Sequence, residues 1–117
     1  MLSVEAIIKP ERVNQVAAAL EAVGCKGFYY FNVTGQGGQG GVEVLVGRGG
    51  RTAGRSAVPK TLVRTIIDES MKDSVVEAII DAARSPGEGA IGDGKIFITE
   101  IQEAIRVRTG EKGIDAI

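Results

Sequence analysis

Ala6-Ile7-Ile8-Lys9-Pro10, followed by Val16-Ala17-Ala18-Ala19-Leu20, is echoed later in the chain by Thr65-Ile66-Ile67-Asp68-Glu69 and Val76-Glu77-Ala78-Ile79-Ile80. Each copy begins as a strand. In the first, Leu2, Val4, Ala6 and Ile8 alternate with Ser3 and Glu5, the period of a half-buried strand. Lys9-Pro10 ends that run, and Pro10 suits the first turn of a helix. Val13, Val16, Ala17, Leu20 and Val23 then recur at helical spacing, with Gly24 placed as the stop. Gly27 to Val33, with Phe28, Tyr29, Tyr30 and Phe31, is aromatic and β-prone and predicts the second strand.

The second copy repeats the order. Thr61 to Ile67 predicts a third strand, with Leu62 on one face and Val63, Thr65 and Ile67 on the other. Asp68 or Ser70 caps a helix whose apolar stripe is Met71, Val75, Val76, Ile79, Ile80 and Ala83, and Pro86-Gly87 breaks it. Ile96 to Ile101 predicts a fourth strand, buried at Ile96, Phe97 and Ile98. A short strand around Ile105 to Val107 follows, with Arg106 and Arg108 on one face. Two βαβ units of this size predict an α+β, ferredoxin-like double βαβ fold with two helices on one face of an antiparallel sheet. No element remains for the other face, so self-association is expected to cover it. Tyr29, Tyr30 and Phe31 serve that interface, a pocket or the core.

Between the two units lies Gly35 to Ala57, with nine glycines between Gly35 and Gly54. Val42, Val44, Leu45 and Val46 are read as a hairpin arm continuing the second strand. Gly47 to Arg55 has no residues with which to build a core and is expected to be mobile.

Composition narrows the function. The 117 residues make one domain, 1–117. A net charge of -1 and 4% aromatic residues argue against a nucleic-acid binder, which needs a basic footprint or stacking platforms. With no histidine and one cysteine, a zinc site or histidine-based catalysis has no residues to use. No run approaches the ~18 apolar residues of a membrane span, and no signal peptide is read at the N-terminus. A lone Cys25 fits a reducing compartment, so a cytoplasmic location is expected.

Gly92-Asp93-Gly94-Lys95 is the stretch that points to chemistry. Two glycines free the backbone to approach a ligand, and a lysine stands beside the exposed amides, a pattern suited to phosphate. Gly89 to Lys95 also spells G-x-x-x-x-G-K, but Ile96 replaces the required Ser or Thr, and a strand follows where a P-loop opens a helix. A P-loop is therefore rejected. Gly35 to Gly40 matches G-x-G-x-x-G but opens no helix, so a dinucleotide fingerprint is rejected too. Arg106 and Arg108 suit a phosphate or carboxylate, and Lys60, held behind Pro59, stands at the far base of the glycine-rich loop. No nucleophile–base pair is visible, so no catalytic residue is assigned and no enzyme is expected.

Five segments, Ala6-Ile7-Ile8-Lys9-Pro10, Pro59-Lys60, Glu77-Ala78-Ile79-Ile80, Ile91 to Phe97 (Ile-Gly-Asp-Gly-Lys-Ile-Phe) and Ile105 to Gly110 (Ile-Arg-Val-Arg-Thr-Gly), together resemble the PII family of nitrogen-regulatory signal proteins. The resemblance implies a cytoplasmic homotrimer with a nucleotide in each cleft between subunits, ATP competing with ADP. It implies a long target-binding T-loop at about 36–57, a phosphate-binding loop at about 85–95 and a C-terminal segment at 105–117. Residues matching Gly92, Asp93, Gly94 and Lys95 would hold phosphates from one subunit, and those matching Arg106 and Arg108 would come from its neighbour. Ile7, Gly35, Gly37 and Ile66 would wall the site. Gln39 would ligate magnesium with ATP, 2-oxoglutarate would chelate that magnesium, and Lys60 would pair with a 2-oxoglutarate carboxylate. The regulated partner would be a protein such as an ammonium transporter, glutamine synthetase or nitrogenase.

The chain also departs from the family. Gly38 and Gly40 stand where arginine and lysine are usual, Tyr29 replaces a small polar residue near the adenine, and Arg64 replaces a glutamate. The loop has no tyrosine for nucleotidylylation, and Arg48, Arg51 and Arg55 make it basic, which suits an acidic partner surface or an anionic small ligand. These departures keep an alternative open: a divergent PII-like module that binds a nucleotide and another small anion without a 2-oxoglutarate response.

Overall fold

The computed structural model describes residues 1–36, 44–46, 51–53 and 57–117. Strand β1 (Leu2–Ile8) passes through a 3-10 turn opened by Pro10 into helix α1 (Val13–Ala22). Helix α1 stops at Gly24, as the sequence predicts, because Gly24 takes φ +88°. That left-handed residue lets Cys25 N–H reach the Leu20 carbonyl and Gly24 N–H the Glu21 carbonyl, both at 3.0 Å, closing a Schellman motif. Strand β2 (Phe28–Gly35) follows. After it come a short ribbon of β3 (Val44–Val46) and β4 (Arg51–Ala53), then strand β5 (Val58–Ile67). Asp68, rather than Ser70, supplies the next cap: its Oδ1 accepts from Ser70 N–H at 3.0 Å, opening a 3-10 turn that runs into helix α2 (Lys72–Ala83). Strand β6 (Gly94–Glu100) completes the sheet.

The four long strands form one antiparallel sheet in the order β2-β5-β1-β6, the ferredoxin-like arrangement expected from the repeat. Both helices lie on one face. Val16 and Leu20 of α1 and Val75, Ile79 and Ala83 of α2 pack on Leu2, Val4, Ala6, Ile8, Val63 and Ile67. The expected split of β5 is observed, since Val63 and Ile67 join this core and Leu62 does not. Pro59 lies in inner strand β5 without cost. It pairs only with Thr34 of β2, because the register with β1 stops at Ile8 opposite Thr61.

By strand register the second face carries Tyr29 and Phe31 of β2, Leu62 and Arg64 of β5, Glu5 and Ile7 of β1, and Lys95 and Phe97 of β6. Leu62, flanked by Phe31 and Ile7, is only 8% exposed, whereas Phe31 and Phe97 are 45% and 51% exposed. Among the described residues no helix covers this face.

Four expectations need correction. Strand β6 is an edge strand, so Ile98 is exposed although it lies on the helix face, and Phe97 is exposed because it stands on the uncovered second face; only Ile96 packs partly on the core. Val44–Val46 does not extend β2; it pairs with Arg51–Ala53 in a separate ribbon. The stretch Gly47 to Arg55 therefore contains strand β4, and its other residues lie outside those described. No strand spans Ile105 to Val107. Ile105 makes one isolated bridge to Lys112, and residues 107–109 form a turn. Gly110 at φ +73° closes that turn by donating to the Arg106 carbonyl at 2.8 Å, and the Thr109 hydroxyl accepts from Glu111 N–H at 3.2 Å. Thr-Gly turn chemistry outweighs the period-two pattern here.

Where β6 begins, Gly94 adopts φ +125°, and a Cβ there would sit 1.9 Å from the Ile7 carbonyl oxygen. Gly92 also has positive φ, +97°, but a Cβ there would meet only Lys60 Nζ and Lys9 Cε, at ordinary contact distances of 3.7 and 3.9 Å. Gly94→Ala is therefore expected to lower unfolding free energy by about 2–5 kcal/mol, from strain plus overlap. Gly92→Ala should cost about 1–2 kcal/mol, from backbone strain alone. Urea denaturation of both variants checks the order; equal losses would contradict the close approach at Gly94.

Candidate functional site: a lysine-lined turn at the end of the sheet

Strand β1 ends at Ile8, β5 enters at Val58, and β6 starts at Gly94, all at one end of the sheet. Three lysines gather there. The Lys60 ammonium donates to the carbonyl of Gly92. Lys9, one residue past β1, puts its Cε 3.9 Å from where a Gly92 Cβ would lie, and its Nζ 3.1 Å from Asp93 Oδ1. Lys95 follows Gly94 on β6, exposed, opposite Ile7 on the second sheet face. Lys9 was not singled out from sequence except within the resemblance. The signal that would have found it is register: extending the β1–β6 pairing one step beyond Ile8 and Gly94 sets Lys9 opposite Asp93.

Asp93 stands among these cations with its charge directed into its own loop. Its oxygens accept from the Ser85 hydroxyl at 2.5 Å, Ser85 N–H at 2.9 Å and Ala90 N–H at 2.8 Å. The Ser85 hydroxyl first, then the two amides and Lys9, hold the Asp93 carboxyl well below the usual carboxylate range. Because it titrates lower in the folded chain than in the unfolded one, its contribution to stability is complete above the ordinary carboxylate range. That contribution is lost only as pH falls through the depressed folded value. The result is a turn with glycines on both sides of a carboxylate paired with Lys9, with Lys60 on the Gly92 carbonyl and Lys95 following on β6, an arrangement chemically suited to a polyanion.

Two cavities flank the sheet. One of about 700 Å³ lies under the turn, between α2 and β6, and is lined by Ile79, Ile80, Ala83, Asp93, Gly94 and Lys95 among others. The other, of about 640 Å³, lies at the far end of β5 and includes Tyr29, Arg64, Ile66 and the C-terminal Ile114 and Ile117. Arg64 Nε and Nη2 both donate to Glu5 Oε2, at 3.0 and 2.7 Å, and Nη1 donates to the Tyr29 hydroxyl at 3.2 Å. The guanidinium also lies 5.7 Å from the Tyr29 ring centroid.

The expected site residues thus fall into groups. Gly92, Asp93, Gly94, Lys95, Lys60 and Ile7 share one end of the sheet. Gly35 ends β2 opposite Val58, at the same end. Ile66 pairs with Ser3, four residues along β1 from Ile7, or roughly 13 Å at the usual rise. Arg106 and Arg108 follow β6 as it leaves the opposite end of the sheet, where Glu100 pairs with Leu2. Arg106 Nη2 donates to the Asp115 carbonyl at 2.9 Å. One chain therefore does not bring the two arginines beside the lysine turn. Gly37, Gly38, Gln39, Gly40, Arg48 and Arg55 lie outside the described residues, and Arg51 contributes backbone to β4. Among the described residues no helix is long and apolar enough to cross a membrane.

Comparison with known proteins follows this geometry. The family model described as Nitrogen regulatory protein P-II matches residues 1–111. Nitrogen regulatory protein P-II 2 of Methanothermobacter thermautotrophicus is 42% identical over 118 residues, covering 100% of this chain and 97% of the relative. Nitrogen regulatory protein P-II of Azospirillum brasilense is 42% identical over 117 residues, covering both chains completely at 100%. The crystal structure of Arabidopsis thaliana PII bound to citrate superposes with a TM-score of 0.76 at 32% identity, covering 98% of this chain and 87% of that one. With the repeat, the sheet order and the Gly92–Lys95 turn in agreement, this chain belongs to the nitrogen regulatory protein P-II family.

Proposed function

We propose that this P-II family member is a non-enzymatic, cytoplasmic sensor of ATP against ADP and of 2-oxoglutarate. It controls a nitrogen-metabolism protein, such as an ammonium transporter, glutamine synthetase or nitrogenase, through the 36–57 loop. The observation that carries this reading is that Lys9 and Lys60 converge on the turn around Gly92 and Lys95 follows it on β6, with the Asp93 carboxylate held by its own loop and by Lys9. These residues fit a phosphate chain: Lys95 and the turn's backbone bind it, and Gly92 leaves room for close approach. Ile7 offers an apolar wall beside Lys95. The roughly 13 Å to Ile66 leaves the other end of a nucleotide to the Tyr29–Arg64 region.

Magnesium would be held by the phosphates and Gln39, and 2-oxoglutarate by that ion and Lys60. Among the described residues no cluster of acidic, cysteine or histidine side chains offers a separate metal site. The Arabidopsis relative is bound to citrate. Carboxylate binding within this fold is the chemistry 2-oxoglutarate also uses.

The chain is proposed to act as a homotrimer. Phe31, Phe97 and Leu62 form an apolar face that three copies would bury together, and Arg106 and Arg108, remote from the turn in their own chain, would reach a neighbour's turn. A second reading is a module that binds a nucleotide and a different anion. It is favoured by Arg64, whose charge and hydrogen bonds to Glu5 and Tyr29 give the base end of the site an unusual cation.

Calorimetric titration separates these readings. Lys95→Ala is expected to weaken ATP binding about 10- to 100-fold, the loss of a charge-assisted contact. Lys60→Ala is expected to remove 2-oxoglutarate binding in the presence of Mg-ATP with a smaller effect on ATP. If wild type binds ATP but 2-oxoglutarate never binds, the second reading stands instead; if neither binds, the sensor reading is wrong. Sedimentation should give three times the 12.2 kDa chain mass. Sedimentation as a monomer would remove the assembly.

A further inference from the structure

We infer that Asp93 is a positioning residue: its carboxylate fastens the anion-binding turn to the loop behind it and to the end of β1, and it does not itself touch the anion. This rests on the nucleotide reading above and assigns Asp93 a different task from its neighbours.

A carboxylate has about four lone-pair directions. All four are used, three within the loop and one by Lys9 at the end of β1. Oδ2 accepts from the N–H groups of Ser85 and Ala90, at 2.9 and 2.8 Å. Oδ1 accepts from the Ser85 hydroxyl at 2.5 Å and lies 3.1 Å from Lys9 Nζ. Lys9 Nζ also donates to Ser85 Oγ at 3.1 Å, closing a three-residue ring of polar contacts. Ser85 lies just after α2, Ala90 lies late in the loop and Lys9 follows β1, so one side chain ties together three separate stretches of backbone. Gly92 and Gly94, on either side of Asp93, hold φ of +97° and +125° and contribute no side chains to fix the turn.

The sign of one substitution decides between positioning and direct electrostatics. Asp93→Asn keeps the side chain's size, removes its charge and turns one acceptor into a donor. If the charge acted directly on a nearby phosphate, removing it would tighten binding. If Asp93 acts by positioning, the turn loosens and ATP binds about 10- to 100-fold more weakly, the range seen when supports behind a ligand are removed. The experiment is calorimetric titration of ATP into wild type, Asp93→Asn and Ser85→Ala, with amide hydrogen exchange measured on the three proteins without nucleotide. Weaker binding is expected for both variants, with exchange at Ser85 and Ala90 at least about 10-fold faster and protection in β1 and β5 unchanged. Equal or tighter ATP binding by Asp93→Asn overturns the proposal, as does unchanged exchange at those two amides. Should Asp93→Asn lose protection throughout the sheet, Ser85→Ala decides by the same two readouts. Failure of wild type to bind ATP overturns the functional reading and the anion-positioning role with it, while the exchange data still decide whether the carboxylate holds the loop.

Discussion

Strand β6 comes so close to β1 at Gly94 that the Ile7 carbonyl fills the space a side chain would need. This approach decides where the lysine-lined end of the sheet can be built. It sets Lys95 beside Ile7, and one step further along the register it sets Asp93 opposite Lys9. A glycine is the only residue that satisfies both the positive φ and the missing Cβ. The second glycine, Gly92, has a different reason to be there. Nothing crowds it, so its lack of a side chain keeps the space in front of Lys60 and Lys9 open. The two glycines of one short motif thus answer separate demands, one from the fold and one from access.

The second sheet face poses the opposite problem. It is apolar in the middle, around Leu62, and polar along one row where Tyr29, Arg64 and Glu5 stand side by side on β2, β5 and β1. The Arg64–Glu5 pair is about one-third exposed in the single chain, with side-chain exposures of 32% and 29%. At that exposure an ion pair is screened by solvent and contributes little. Covering the face with further copies would desolvate both charges, and breaking the pair would then leave a buried charge without a partner. The pair is therefore weak support for the monomer and a strong constraint on how copies fit together. The Tyr29 hydroxyl and ring, both on Arg64, tighten that constraint by fixing the guanidinium in one plane.

The elements that were legible in the sequence were those with a local physical cause. The repeated strand–helix pattern gave the sheet and both helices, Gly24 announced its Schellman stop, and Pro86-Gly87 ended α2 on schedule. The missing Ser or Thr after Lys95 was enough to reject a P-loop, and the turn does lead into a strand. Most of what failed depended on nonlocal facts. Ile96 to Ile98 looked buried by composition, but no periodicity reveals that β6 is an edge. Ile105 to Val107 looked extended, but here the cause is local: Gly110 N–H on the Arg106 carbonyl and the Thr109 hydroxyl on Glu111 N–H close a turn. Ser85, Ala90 and Lys9 were illegible as partners of Asp93, because no spacing rule joins a loop to the end of a distant strand. Asp93 was expected among the phosphate contacts, and only its geometry shows where its carboxylate is committed.

The Lys60–Gly92 contact joins the two parts of the molecule that a sensor must couple. Lys60 lies near the start of β5, where the chain returns from the 36–57 stretch, and its ammonium rests on the Gly92 carbonyl of the lysine-lined turn. An ammonium has three donors, but its position is single-valued. A ligand carboxylate that draws Lys60 away from Gly92 must therefore act on both the turn and the entrance to β5. A ligand shifts an equilibrium only by its differential contacts with the two states. In the proposed sensor that difference would be Lys60 bonded to Gly92 in one state and to the ligand in the other. The coupling needs no relay through the core, since Val63 and Ile67, further along the same strand, are packed into it and stay fixed. A rigid strand with one relocatable cation at its entrance is sufficient for a signal to pass between the two.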